Sequence, residues 1–139
     1  MVQLIVGNKG KGKTKHLLDK VNTEVQNVSG NIVYLDKSKK HMYELNNKVR
    51  LIDISSYDVK NSDEFIGFVR GVISQDHDLQ QMYFDSFIDI ASCKDRDITD
   101  LVKRIEKISE NFNVDFVISA SLDESELNEE LKDKVIVSL

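Results

Sequence analysis

Apolar residues fall along the chain in short blocks that switch between two spacings. Val2, Leu4, Ile5 and Val6 form a compact run rich in β-branched residues, the mark of a buried strand. From Lys13 to about Gln26 the spacing changes: Leu17, Leu18, Val21 and Val25 share a helical face, and Ser29-Gly30 supplies a stop. Asn31 to Asp36 reads as a second strand. Strand, crossover helix and strand make a right-handed βαβ unit with parallel pairing. Met42 to Leu45 predicts a short helical turn, and Val49 to Ile54 a third strand. Ser62-Asp63-Glu64 is an acidic helix start, after which Phe65, Ile66, Val69, Val72 and Ile73 recur at helical spacing. Gly67 and Gly71 lie four apart on that helix, and close packing against the sheet is their expected purpose.

The second half repeats the alternation. Leu79 to Asp85 is a mostly apolar strand ending in an acid. Ser86 to Asp97 is a long connection whose Phe87, Ile88 and Ile90 should pack. Ile98 to Glu110 is strongly amphipathic: Ile98, Leu101, Val102, Ile105 and Ile108 line one side, while Glu106 and Glu110 face water, with Asp97 or Thr99 as cap. Val114 to Ser121 is a fifth strand, Asp123 to Leu131 an acidic surface helix, and Lys134 to Leu139 a last strand at the sheet edge. The expected fold is a three-layer α/β/α arrangement with a mostly parallel sheet of five to six strands, as one domain over residues 1–139.

The turn between the first strand and helix carries the chemistry. Gly7-Asn8-Lys9-Gly10-Lys11-Gly12-Lys13-Thr14 fits G-x-x-x-x-G-K-[ST] at every fixed position. A loop that wraps a polyphosphate must bring backbone N–H groups close, which glycines allow, and the helix N-terminus adds partial positive charge. Gly7, Asn8, Lys9, Gly10, Lys11, Gly12, Lys13, Thr14 and Lys15 are therefore the candidate nucleotide-binding residues. Lys13 should reach the β- and γ-phosphates, and the Thr14 hydroxyl should ligate Mg²⁺. Asp85, at the C-terminal end of its strand, is the candidate acid beside that magnesium, and with Lys13 it is a catalytic candidate. Asp53, after Leu51-Ile52, competes for the role.

Other polar groups carry less. Lys37 to Lys40 reads as a solvated basic turn, with nucleotide or partner contact as the lesser alternative. Asp76-His77-Asp78 reads as a solvated turn rather than a metal site, and His16 and His41 stand isolated. Ser119 and Ser121 end their strand where a γ-phosphate sensor could sit, or are ordinary strand-end serines.

Charge and cysteine content narrow the class. The net charge of -5 argues against a nucleic-acid or anionic-membrane partner, and the lysines at 9, 11, 13 and 15 are accounted for by the phosphate loop. Cys93 is the only cysteine, which excludes an internal disulfide and a thiolate metal site. Met1 leads straight into a core strand and no apolar run reaches transmembrane length, so no membrane insertion and a cytoplasmic location are expected.

Gly7, Gly12, Lys13 and Thr14 make the chain resemble the phosphate-loop NTPase superfamily. The strands and helices between the loop and Asp85 resemble the additional-strand branch, which includes RecA-like and AAA ATPases. Length, element order, the Ile118-Ser119-Ala120-Ser121 end and the Glu130-Leu131-Lys132 stretch resemble small stand-alone Firmicutes proteins often labelled twitching-motility ATPases. The resemblance implies ATP and Mg²⁺ as ligands. That branch usually has a Glu at or near the acidic strand end; here Ser86 follows Asp85, and no Glu occurs until Glu106, with Asp89 the nearest carboxylate. The hexameric motor is larger and has a second domain, which is not evident in this sequence, so the resemblance does not carry the motor activity over. No N-K-x-D guanine motif is present. Three functions follow: an ATPase that is slow or activated by a protein partner or second copy supplying an arginine, a non-hydrolysing nucleotide switch or scaffold, and a small-molecule kinase using Arg96.

Overall fold

In a computed structural model covering residues 1–139, the strands are β1 (Val2–Val6), β2 (Asn31–Asp36), β3 (Val49–Asp53), β4 (Leu79–Phe84), β5 (Asp115–Ala120) and β6 (Val135–Ser138). Four α-helices lie in the connections between them: α1 (Lys13–Glu24), α2 (Ser62–Ser74), and both α3 (Phe87–Ile90) and α4 (Thr99–Phe112) between β4 and β5. All six strands run parallel in one sheet, in the order β3-β2-β4-β5-β1-β6.

Burial on both faces explains the continuous apolar runs, because a parallel sheet must be covered on each side. On one face Leu17, Leu18 and Val21 of α1 pack against Ile5, Ile32, Tyr34, Tyr83 and Val117. On the other, α2, α3 and α4 enclose a 28-residue core. Phe84 sits at its centre, stacked 6.0 Å from Phe87 and edge-on at 5.3 Å to Phe65.

The register sets up the site. Val6 is level with Ala120, Phe84 with Ile118, and Leu35 with Phe84. Gly7, Asp36 and Asp85, each at or just beyond a strand's last residue, therefore emerge along one carboxyl edge. From β1 the chain crosses β5 and β4 to reach β2, while β6 lies on the opposite side of β1. Open α/β sheets place ligands at such a reversal of strand order.

Several expectations are corrected. Glu124–Glu126 and Glu129–Lys134 form two 3₁₀ turns, not an acidic α-helix. Asp123 accepts from Ser125 N–H and Asn128 from Glu130 N–H, so each Asx side chain restarts the backbone between closely spaced acids. Only Leu127 and Leu131 there reach the core. The acidic start of α2 at Ser62-Asp63-Glu64 is as expected, and Asn61 caps it by accepting from Glu64 N–H. Glu106 is half-covered rather than facing water: its Oε1 lies 3.5 Å from Lys134 Nζ and its Oε2 is buried without a partner.

Gly67 and Gly71 do not pack against the sheet. Both lie on the exposed side of α2, where an added Cβ would meet nothing within 4 Å. Alanine at either position should therefore stabilise the fold by about 0.5–1 kcal/mol through a less flexible unfolded chain and higher helix propensity. The urea midpoint of Gly67→Ala/Gly71→Ala should rise; a fall would mean that these glycines meet a requirement their surroundings do not display.

Candidate nucleotide site

The glycine-rich loop between β1 and α1 keeps its donors unspent. Gly7 N–H is held by the Leu122 carbonyl at 2.7 Å, and His16 N–H reaches back to Gly12 at 3.4 Å. Between them, the N–H groups of residues 8–12 have no acceptor within the chain. Gly12 caps α1 in the left-handed conformation, φ 90°, with no side-chain cap and no acid in the first turn. The first-turn amides of α1 thus also face outward, as helix geometry requires. Gly7 is needed for a different reason: a Cβ there would stand 2.9 Å from Leu139 Cβ.

Lys13 is nearly buried, and its ammonium donates to the Asn8 carbonyl at 3.0 Å across its own loop. Burial lowers its pKa, an effect opposed by the Asp85 carboxylate. The lysine therefore bridges its own loop.

Asp85 is the hub. It follows β4, is 2% exposed, and has three hydroxyl donors. Thr14 Oγ1 and Ser119 Oγ donate to Oδ1 at 3.1 and 3.0 Å, and Tyr34 OH donates to Oδ2 at 2.8 Å. Ser119 also accepts from Ser86 N–H at 3.1 Å, so the β5 serine ties the end of β4 to the carboxylate. Asp53 does not line the cleft with Thr14: it ends edge strand β3 and spends its Oδ1 on Ser55. Tyr34→Phe would leave the buried Oδ2 of Asp85 without its donor, at a cost of about 1–3 kcal/mol. Chemical denaturation checks this, and an unchanged midpoint would deny the bond its weight.

A second carboxylate, which the sequence offers without a role, stands opposite. Asp36 ends β2, is 3% exposed, and accepts from Lys37 N–H at 2.7 Å through Oδ1. Its Oδ2 is buried with no partner. Burial, then the Asp85 charge, push its carboxyl above the ordinary carboxylate range, while Lys37 N–H pulls the other way. His41, isolated in the sequence, stands beside Asp36 and Asp85. An acid ending a strand, the same signal that marks Asp85, was available to single out Asp36; nothing local marks His41.

These groups line a cleft of about 260 Å³ with Lys9, Gly10, Gly12, Lys13 and Thr14. Lys37, Ser38 and Lys40 of the basic turn also line it. Asn8 and Lys9 border an adjoining hollow of about 400 Å³ with Asp89, Arg96 and Ser121. Lys11 and Lys15 are exposed and line neither. Asp89 pairs with Lys37 at 3.1 Å. Arg96 donates to the Ser121 carbonyl at 3.1 Å and to Glu126 at 3.2 Å. Thr14 Oγ1 and Asp85 Oδ1, adjacent hard oxygens at the cleft floor, fit the donor set that Mg²⁺ takes.

No helix is long and apolar enough to cross a membrane. No protein-family model matches the chain, and no curated protein does. Among solved structures, the chain is similar to the flagellar accessory protein FlaH of Methanocaldococcus jannaschii, with a TM-score of 0.56 and 15% identity over 89% of this chain. The match spans 63% of the FlaH chain, less than two thirds of its length. At that identity the likeness speaks to fold alone. With its six parallel strands and helices on both faces, the chain has an α/β fold, which it shares with that structure.

Proposed function

We propose that the chain binds ATP as its magnesium complex over Gly7 to Thr14 and hydrolyses it slowly, or faster when a protein partner or a second copy supplies an arginine. The observation that carries this reading is the pair of carboxylates under the loop, Asp85 bonded to the Thr14 hydroxyl and Asp36 with an oxygen unspent.

The unpaired loop amides and Lys13 bind the phosphates and hold the γ-group in place. Thr14 and Asp85 hold the magnesium, which offsets the phosphate charge. Asp36 takes the part of the absent Glu: its free oxygen orients a water and accepts its proton, and a raised pKa makes it a stronger base than an ordinary carboxylate. This favours hydrolysis over the non-hydrolysing switch. Slowness follows from Arg96, whose guanidinium is held by Glu126 and Ser121. No arginine lines the cleft beside Thr14, and a missing arginine can cost about 10³–10⁵ in rate.

Phosphate release from ATP under single-turnover conditions tests the reading. Wild type should release phosphate above buffer only with magnesium, and Asp85→Asn should not. Tight Mg–ATP binding with release no faster than buffer would favour the switch instead.

A further inference from the structure

Asp36, His41 and Asp85 each offer one ligand atom to the same corner of the cleft, and the three atoms lie within 4.8 Å of one another. We propose that they form a site for a borderline divalent cation, Mn²⁺ or Zn²⁺, that fills without nucleotide. This goes beyond ATP binding: Asp85 is common to both sites, but the magnesium of the nucleotide complex also draws on Thr14 and phosphate oxygens, whereas this site also draws on Asp36 and His41.

Three observations converge. First, Asp36 is 3% exposed and its Oδ2 has no donor, although Asp85 next to it bears three. An unpartnered buried carboxylate oxygen beside a second carboxylate is costly unless a cation joins them. No lysine of the cleft donates to that oxygen: Lys37 is on Asp89 and Lys13 on the Asn8 carbonyl, and neither Lys9 nor Lys40 reaches it. Second, Glu44 Oε1 lies 3.1 Å from His41 Nδ1. A carboxylate on one ring nitrogen fixes the tautomer and leaves the lone pair of the other, Nε2, for a metal. Third, the donor set is two carboxylate oxygens and one imidazole. Hard Mg²⁺ and Ca²⁺ prefer all-oxygen shells, while imidazole suits the transition metals.

The geometry is within reach. Donors around a cation at about 2.1 Å stand about 3–4 Å apart, so small torsional changes close the triad. The His41 side chain is 20% exposed, which gives a path for entry and for coordinated water. Two carboxylates and a neutral imidazole balance the charge of one divalent ion. His41 follows the Lys37–Lys40 turn, so a bound ion would pin that turn over the cleft.

Titration of the nucleotide-free full chain with Mn²⁺, followed by loss of the free-ion paramagnetic resonance signal, tests the site. One Mn²⁺ per chain should bind in the micromolar range and resist displacement by millimolar Mg²⁺. His41→Gln and Asp36→Asn should each weaken it by about 10- to 100-fold, with unchanged circular-dichroism spectra. No binding up to millimolar Mn²⁺, or equal binding by His41→Gln, would overturn the proposal. Mg–ATP binding by wild type is measured in parallel. A chain that binds Mg–ATP but not Mn²⁺ overturns this site alone; one that binds Mn²⁺ but not Mg–ATP supports it and overturns the nucleotide reading.

Discussion

Asp36→Asn should slow single-turnover ATP hydrolysis by about 10²–10⁴-fold, the usual contribution of a positioned general base, while Mg–ATP binding persists. The same substitution should raise thermal stability in EDTA. The carboxyl of Asp36 is held above its ordinary value by burial and by Asp85. A raised acid in the folded state means that the folded chain binds the proton more tightly than the unfolded chain does. Its ionisation thus costs stability as pH rises from the ordinary carboxylate range through the raised value. Asparagine has no charge to desolvate, keeps an oxygen for Lys37 N–H, and can point an amide N–H towards Asp85. A gain on the order of 1 kcal/mol would lift the melting temperature by about 3 °C for a chain this size. The gain should vanish at pH below the ordinary carboxylate range, where the wild-type group is neutral in both states. Hydrolysis by wild type should rise with pH across the same window, since the base must be ionised. Slower hydrolysis with no change in melting would mean that Asp36 carries no desolvation cost; unchanged hydrolysis would remove it from the mechanism.

Lys13→Ala should weaken Mg–ATP binding by about 10- to 100-fold, the loss of one or two charge-assisted hydrogen bonds at about 1.5–3 kcal/mol. The fold should survive. Lys13 is nearly buried, but its one bond is to the Asn8 carbonyl within the loop, and the helix behind it is anchored by Leu17, Leu18 and Val21. Circular dichroism and a melting curve close to wild type, with weaker binding by calorimetry, is the expected pair of results. Equal affinity would mean that the ammonium stays on Asn8 and never meets phosphate.

What could be read from the sequence was local. The β1 run, the glycine loop and the start of α1 are contiguous, so strand, cradle and helix dipole were visible together. The 3.6-residue periodicity from Ile98 to Ile108 marks the buried apolar residues of α4 and its cap, but not the buried Ser109 or the covered Glu106. Asp85 rather than Asp53 could be preferred for its place after an apolar strand, but the choice rests on sheet order: β4 lies inside the sheet and β3 at its edge. Periodicity carries no such order. For the same reason Asp36 and His41 were not joined to Asp85, because the pairing of β2 with β4 brings residues 36 and 41 to residue 85. The acidic stretch misled in another way. Leu127 and Leu131 have helical spacing, yet Asp123 and Asn128 bend the chain locally through their own side chains, a competition that apolar spacing does not register.

The central claim is that the loop amides and Lys13 receive a polyphosphate above the Thr14–Asp85 pair. A crystal structure grown with magnesium and a non-hydrolysable ATP analogue tests it most directly. The account predicts the β- and γ-phosphates within hydrogen-bond reach of the loop amides and of Lys13 Nζ, with magnesium beside Thr14 Oγ1. A fully soaked crystal whose loop is empty, with Lys13 still on Asn8, would contradict it.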